Sequence, residues 1–181
     1  MCNMLHVNLL AKGDIMMIPN NLNCNGALNT NPMKEAIRQA ELGIARGHGG
    51  PFGAVVVKDG KIIARGHNRV LVDRDSTAHG EIVAIRKAEK ALQTFDLSGC
   101  ELYTTGEPCP MCLAACLWAN VDRVRFGCTL ADNSEIGFRD SLFASLTEGG
   151  SRGPEGFLVQ QDREMCRELF DRYAKMEKEM Y

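Results

Sequence analysis

Three residues that can bind a soft metal ion and one carboxylate occur in two short motifs of this chain. His79 and Glu81 are separated by a single residue, Gly80. Cys109 and Cys112 are separated by two residues within the segment P-C-P-M-C. A structural zinc site is normally closed by four protein ligands, whereas a hydrolytic site leaves the fourth position to water. Three ligands and one carboxylate therefore predict a zinc-dependent hydrolytic site with Glu81 as its base.

The first motif lies in a segment with helical periodicity. Apolar residues recur at helical spacing from Ala78 to Lys90, which predicts a helix with His79 and Glu81 in its first turn. Residues at positions i and i+2 diverge on a helix surface. One side chain can therefore bind the metal while the other approaches the water.

The second motif is predicted to begin another apolar helix, which runs to about Ala119. Cys109 and Cys112 are three residues apart, so both sulfurs can project from one face. A helix N-terminus favours negative charge and lowers a thiol pKa, which suits thiolate ligands. Pro110 fits the first turn, where its missing N–H costs nothing.

Two other interpretations of these residues remain open. In a structural zinc knuckle a further cysteine would be the fourth ligand, and the candidates are Cys100, Cys116 and Cys128. That arrangement would give Glu81 no role. A lone C-x-x-C could also be a redox pair, although the surrounding sequence has no thioredoxin-like context.

The composition indicates one ordinary domain with nearly balanced charge. A chain of 181 residues, 45% of them hydrophobic, can bury one core and is too short for two comfortable domains. With 21 basic and 23 acidic residues, the net charge of -2 predicts neither nucleic-acid nor membrane binding. Thiolate ligands require reduced sulfur, so eight cysteines favour the cytoplasm over a secreted disulfide scaffold.

Changes in composition divide the chain into three parts. Residues 1–31 are rich in asparagine and lack periodicity, which predicts a flexible leader. Residues 32–147 carry the regular pattern and both motifs, and they form the predicted core. Residues 148–181 begin with a glycine-rich hinge and continue into a short strand and a helix. The apolar side of that helix packs either on its own domain or on a partner subunit.

The order of predicted elements defines the fold class. A helix from Pro32 to about Gly47 precedes two β-branched strands that are joined through Asp59-Gly60, a strong hairpin signal. Strands at 101–104 and 123–126 then alternate with the two motif-bearing helices. This order predicts an α/β protein, a three-layer α/β/α sandwich with a mixed central sheet. Both helices follow strands, so the ligands should converge at one end of the sheet.

The two motifs together, H-x-E and P-C-x-x-C, are typical of the zinc nucleobase deaminases. From about Pro32 to its last residue the chain resembles the cytidine deaminase superfamily and is most similar to the bacterial guanine deaminases. The resemblance rests on the motifs G-P-F-G-A-V from Gly50, T-A-H-G-E from Thr77, E-P-C-P-M-C from Glu107 and G-F-R-D-S from Gly137, together with Asn68, Trp118 and Tyr181.

This resemblance implies specific roles for residues of the site. His79, Cys109 and Cys112 would bind one zinc ion, and Glu81 would transfer a proton from water to the ring. Asp140 would act near the leaving amine, and the substrate pocket would include Phe52, Asn68, Gly80, Trp118 and Tyr181. Guanine would be converted to xanthine and ammonia.

The resemblance also implies a homodimer that exchanges its C-terminal segment, so that Tyr181 closes the pocket of the partner. Gly80 stands where guanine deaminases usually carry alanine, and Gly106 replaces a cysteine common in that branch. Cytosine and aminotriazines therefore remain alternative substrates. A tRNA adenosine deaminase and a non-catalytic zinc-stabilised interaction module are further alternatives. The segment 161–181 has five basic and six acidic residues, which gives little support to RNA binding.

Overall fold

The computed structural model describes residues 31–139 and 155–176. Its strands are β1 (Gly53–Lys58), β2 (Lys61–His67), β3 (Cys100–Gly106), β4 (Arg123–Cys128) and β5 (Leu158–Gln160). Its helices are α1 (Pro32–Ala45), α2 (Val70–Asp73), α3 (Gly80–Leu92), α4 (Pro110–Trp118), α5 (Leu130–Glu135) and α6 (Arg163–Ala174).

The five strands form one mixed sheet in the order β2-β1-β3-β4-β5. Strand β1 is antiparallel to both of its neighbours, β2 and β3. Strand β4 is parallel to β3 and to β5. The mixed central sheet predicted from the sequence is therefore confirmed.

The hairpin between β1 and β2 closes through Asp59 and Gly60, with Lys58 paired to Lys61. Both turn residues have left-handed backbone angles, with φ of 50° at Asp59 and 72° at Gly60. A two-residue turn of this kind favours an Asp-Gly pair because aspartate tolerates and glycine readily adopts positive φ. The hairpin prediction is confirmed.

One face of the sheet is covered by α3 and α4. Their buried residues pack against the strand residues that point to this face, and the shared core includes Ala54, Val56, Leu102, Val124, Ala84, Ile85, Ala88, Leu113 and Cys116. Because side chains alternate along a strand, Val55 and Val57 point to the opposite face. There they meet α1 and α6 in a second core that includes Met33, Ala36, Ala40, Leu169 and Phe170. Helices therefore cover both faces, which confirms the three-layer sandwich.

Helix α6 packs on the core of its own chain through Leu169 and Phe170, which are both buried. A polar cluster adds to this contact, because Arg163 and Arg167 both pair with Asp132 at the start of α5. Burial favours the neutral acid, but hydrogen bonds from the Thr129 backbone and from the two arginines outweigh it. Together they lower the pKa of Asp132 to about 2. The sequence left two surfaces open for the apolar side of this helix. In the described chain it packs on its own domain.

Helices α2 and α5 were not expected from the sequence. Helix α5 is short, and it begins with a capping box in which Thr129 and Asp132 bond each other's backbone N–H groups. Strands β3 and β4 extend two residues beyond the predicted Thr104 and Phe126. Of the predicted leader, only Asn31 is described, and its side chain caps α1 by accepting hydrogen bonds from Met33 and Lys34.

Most of the glycine-rich hinge and the last five residues lie outside the described part of the chain, as does the rest of the leader. Within residues 31–139 and 155–176, every helix is too short or too polar to cross a bilayer.

Candidate active site

The site lies at one end of the sheet, where β1 begins and β2 and β3 end. Phe52 directly precedes β1, Asn68 follows β2, and Glu107 follows β3. Strand β2 runs opposite to β1, so its last residue lies beside the first residue of β1, with His67 paired to Gly53. The expected convergence of the two motifs at one end of the sheet is confirmed.

The three metal-binding candidates belong to the N-terminal ends of α3 and α4. His79 is the N-cap of α3, with extended backbone angles, rather than a residue of the first turn as the sequence pattern suggested. Cys109 is likewise the N-cap of α4, and Cys112 lies in the first turn of that helix. Pro110 occupies the first helical position, as expected. Two helix N-termini therefore meet at one place, which favours negative charge there.

The geometry of these donors fits a zinc ion. Nδ1 of His79 lies 3.7 Å from Sγ of Cys109 and 3.6 Å from Sγ of Cys112. All three donor atoms lie within 4.8 Å of one another. Tetrahedral zinc with bonds of about 2.3 Å to sulfur and about 2.0 Å to nitrogen would separate such donors by about 3.6 Å. The donor set leaves a fourth position, because the metal-binding group in the described chain contains only these three residues.

The pKa values of the two thiols are shifted in opposite directions. A hydrogen bond from Cys112 and a further one from His79 lower the pKa of Cys109 to about 4. The same hydrogen bond, together with burial, raises the pKa of the Cys112 thiol. Both cysteines bind a metal as thiolates, so metal binding must release the thiol proton that the pair shares.

Glu81 lies beside this group, in the first turn of α3, and only 4% of its surface is exposed. Burial, and after it the nearby carboxylate of Glu81, raises the pKa of the Cys116 thiol, so Glu81 lies close to the cysteines of α4. Glu81 and His79 both line the same cavity. The carboxylate can therefore reach a small molecule bound between it and the metal-binding group.

The cavity has a volume of about 610 Å³. It is lined by Phe52, Asn68, Val70, Ser76, His79, Glu81, Glu107, Cys109, Pro110, Met111, Asn133, Phe138 and Arg139. Phe52 contacts Phe138 edge to face at 4.7 Å between ring centroids, and Phe170 supports it from the second core at 5.5 Å. A cavity of this size with an aromatic wall and a few polar groups suits a planar heterocycle.

Asn68 is almost fully buried, with 1% of its surface exposed. Its Oδ1 accepts a hydrogen bond of 3.1 Å from the backbone N–H of Val70, so the amide also forms the turn after β2. Its backbone N–H donates to the carbonyl of Phe52 at 2.8 Å. With Oδ1 facing the turn, the amide NH₂ is the group left for the cavity.

Two predicted pocket residues lie elsewhere in the described chain. Trp118 does not line the cavity of its own subunit, because 86% of its surface is exposed. It is the last residue of α4, six residues beyond Cys112, which is about 9 Å further along the helix axis. Gly80 also does not line the cavity, and a Cβ added to it would be 2.9 Å from the carbonyl oxygen of Phe52. Asp140 and Tyr181 lie outside the described residues.

The structure adds cavity residues to which the sequence analysis assigned no role. Glu107 begins the E-P-C-P-M-C motif that supported the family resemblance, and its Oε2 accepts a hydrogen bond of 2.8 Å from the backbone of Leu130. Asn133 belongs to α5, which was itself not expected, and no pattern in the sequence marked it. Phe138 lay within a motif that supported the family resemblance, and this was the signal that could have identified it.

Comparison with known proteins assigns the chain to a family. Residues 28–128 match the model of the cytidine and deoxycytidylate deaminase zinc-binding region. This match covers more than half of the chain and includes all three metal-binding candidates. The chain belongs to this deaminase family. It is therefore a zinc-dependent deaminase, and the zinc cofactor predicted from the sequence is confirmed.

The relatives of this deaminase include guanine deaminases and tRNA-specific adenosine deaminases. Guanine deaminase from Bacillus subtilis strain 168 is 51% identical over 110 residues, which cover 61% of this chain and 70% of that protein. The tRNA-specific adenosine deaminase of the same organism is 47% identical over 95 residues, or 52% of this chain and 58% of that protein. A solved structure of guanine deaminase from Nitrosomonas europaea has a TM-score of 0.67 at 30% identity, covering 80% of this chain and 84% of that one.

Proposed function

We propose that this deaminase converts guanine to xanthine and ammonia by hydrolysis. The observation that carries the proposal is the position of Glu81 beside a three-donor metal group, in a cavity with an aromatic wall and the amide of Asn68. The 51% identity with a guanine deaminase supports guanine as the substrate.

In this proposal His79, Cys109 and Cys112 bind one zinc ion. Zinc bound there would lower the pKa of a water molecule to near 7. The carboxylate of Glu81 would take up a proton beside the metal-binding group and deliver it to the nucleobase, so the same residue would act first as general base and then as general acid. Its burial excludes bulk water from this transfer.

The remaining predicted residues would recognise the base. Phe52 and Phe138 would pack on the ring, and the NH₂ group of Asn68 would donate to a ring acceptor or to the carbonyl of the base. Gly80 would contribute by setting the position of Phe52, against whose carbonyl it packs. We assign Asp140 to the leaving amine and Tyr181 to closure of the pocket, on the basis of the family resemblance.

We also propose that the protein is a homodimer. Helix α4 carries no charged side chain along its length, and Leu117 and Trp118 at its end are 41% and 86% exposed. Burial of such a surface by a second subunit would remove apolar area from water. Trp118 could then reach the partner's pocket instead of its own. In an exchanged dimer, the contacts of α6 would form between two subunits.

A cytoplasmic location is proposed as well. All six cysteines in the described part of the chain are free thiols. Metal-binding thiolates persist in a reducing compartment.

Deamination of adenosine in tRNA is the second candidate function, because a tRNA-specific deaminase is 47% identical over 95 residues. The net charge of -2 disfavours it, since RNA affinity depends largely on contacts to phosphate groups. Cytosine and aminotriazines remain further alternatives on the basis of Gly80.

The test is ammonia release from guanine, cytosine, adenine, guanosine, an aminotriazine and a tRNA anticodon stem-loop, with the purified zinc-loaded protein. We expect guanine to have the highest kcat/KM. Glu81→Gln should keep zinc and lose activity by a factor of about 10² to 10⁴. If cytosine is turned over and guanine is inert, the substrate assignment is wrong. Full retention of ammonia release by Glu81→Gln would exclude Glu81 as the general base.

A further inference from the structure

Two histidines form a direct hydrogen bond beside the active site without lining its cavity. Nδ1 of His48 lies 2.9 Å from Nε2 of His67, and the two rings stack with centroids 5.2 Å apart. His67 is the last residue of β2, and His48 lies in the loop between α1 and β1. The bond therefore connects the loop that leads to Phe52 with the strand that leads to Asn68.

The ring of His67 is held from the side away from the cavity. It is 6% exposed and packs on α1, where a Cβ added to Gly43 would be 2.8 Å from its Cδ2 atom. Because side chains alternate along an extended chain, the next residue, Asn68, points to the opposite side, towards the cavity. His67 is thus anchored behind the sheet immediately before the residue that lines the site.

The loop also approaches Asn68 directly. A Cβ added to Gly49 would be 2.0 Å from Oδ1 of Asn68, so only glycine permits this contact. The carbonyl of His48 accepts a hydrogen bond of 3.1 Å from Leu71, which lies three residues beyond Asn68. The loop therefore contacts the Asn68 turn at two places, and the histidine pair joins the two segments through side chains.

The proton in this bond can be assigned from the surroundings. Nδ1 of His67 is buried and has no partner in the described part of the chain. A buried ring nitrogen without a partner destabilises the folded state least when it carries no proton. The ring proton of His67 is therefore on Nε2, which donates it to Nδ1 of His48. A guanidinium nitrogen of Arg69 also approaches that acceptor, at 3.5 Å. Both rings are therefore neutral in this arrangement.

The groups around the two histidines also favour the neutral form of both rings. Burial and the positive charges of Arg69 and Arg46 lower the pKa of His48, and Asp73 only partly opposes them. Burial, His48 and then Arg69, Lys87 and Arg46 lower the pKa of His67 to about 4. Asp73 is itself paired with Arg69 at 2.7 Å.

We propose that the neutral His48–His67 pair is a positioning device that holds the loop 46–52 against the end of β2 and so sets Asn68 and Phe52 for binding of the base. Neither histidine contacts the reacting atoms. The inference rests on the proposed function of the site. In it, two histidines that do not line the cavity fix the positions of two residues that do.

The first test is a comparison of matched variants with guanine as substrate. His48→Ala removes the acceptor, whereas His48→Asn keeps an acceptor atom near the place of Nδ1. We expect His48→Ala to raise KM about tenfold with kcat changed less than about threefold, and His48→Asn to restore most of the loss. In an Asn68→Ala background, His48→Ala should have little further effect, because residues that act through one contact are not additive. Equal effects of Ala and Asn, or full additivity with Asn68→Ala, would overturn the proposal.

The second test does not depend on activity. Nitrogen NMR of the histidine side chains should find His67 as the Nε2–H tautomer, with a coupling to Nδ1 of His48 across the hydrogen bond. His67 should remain neutral at pH 5.5, well below its unperturbed pKa of about 6.5. The opposite tautomer, or titration at an ordinary pKa, would overturn the proposal even if guanine is turned over. An inactive protein with the expected spectra would instead contradict the proposed function and leave the pair intact.

Discussion

Nδ1 of His79 lies 3.6 Å from Sγ of Cys112, although 33 positions of the chain separate the two residues. Helices α3 and α4 both begin at the same end of the sheet, so their first residues, which carry the two donors, lie close together. The spacing is about that of two ligands on one tetrahedral zinc ion.

Removal of one donor should abolish tight zinc binding. Cys112→Ala leaves two protein ligands, and we expect metal analysis after dialysis to find well under one zinc per chain. Cys116 is the matched control, because it is buried on the same helix but does not belong to the metal-binding group. Cys116→Ala should retain one zinc per chain. Equal zinc content in the two variants would exclude Cys112 as a ligand.

Gly80→Ala should disturb the cavity through Phe52, which lines it. The added Cβ would lie 2.9 Å from the carbonyl oxygen of Phe52, so the backbone at Phe52 must move. We expect a loss of about 1–3 kcal/mol in the free energy of unfolding and an altered KM for guanine. Lys90→Ala, on an exposed position of the same helix, should change neither quantity by much. An unaltered KM with Gly80→Ala would show that this position does not set the substrate-binding wall.

Asp132→Asn should weaken the attachment of α6. The buried carboxylate pairs with Arg163 and Arg167, and the amide can replace only part of that hydrogen bonding. Because the arginines are partly exposed, we expect about 1–3 kcal/mol of destabilisation in urea denaturation. Asp171→Asn removes an exposed partner of Arg167 and should cost less than about 0.5 kcal/mol.

The same carboxylate makes stability sensitive to strong acid. Its pKa of about 2 lies below the ordinary value of 3.8, so its contribution is complete above pH 4 and is lost as the pH falls through 2. In the Asn variant this part of the pH dependence should disappear, as followed by circular dichroism.

His67 should make stability depend on pH in a milder range. Its pKa of about 4 lies below the ordinary 6.5, so the unfolded chain binds a proton between these values and the folded chain does not. Stability should therefore be complete above pH 6.5 and should fall by an amount on the order of 2 kcal/mol towards pH 4. His67→Gln cannot titrate, and urea midpoints should show a flatter profile. An equally steep profile in that variant would assign the effect to other groups.

A dimer that buries the end of α4 should be sensitive to charge there. We expect Trp118→Glu to shift the mass measured by light scattering from dimer to monomer, and to lower activity. Phe95→Glu is a control at another exposed apolar residue, with 78% of its surface exposed. A wild-type protein that is monomeric and fully active would overturn the dimer proposal.

The sequence predicted the sheet and the metal-binding group well because both depend on local patterns. Hairpin chemistry at Asp59-Gly60 and the alternation of apolar strands and helices are short-range signals. The sequence pattern predicts His79 in the first turn of α3, whereas it is the N-cap, because apolar periodicity does not mark the first residue of a helix.

Features that depend on long-range packing could not be predicted. Asn133 reaches the cavity through α5, which is six residues long and shows no amphipathic period. The exposure of Trp118 depends on where α4 ends relative to its neighbours, and a tryptophan in an apolar helix is ordinarily expected in a core. The bond between His48 and His67 joins residues 19 positions apart through side chains alone, and no motif signals it.

Trp118 is the only tryptophan of the chain, and 86% of its surface is exposed. Its indole is therefore a built-in fluorophore at the end of the helix that also carries Cys109 and Cys112. An emission maximum that moves to shorter wavelength as protein concentration rises would report subunit association without a label. Quenching by dissolved iodide at each concentration would give the fraction of indole still open to solvent.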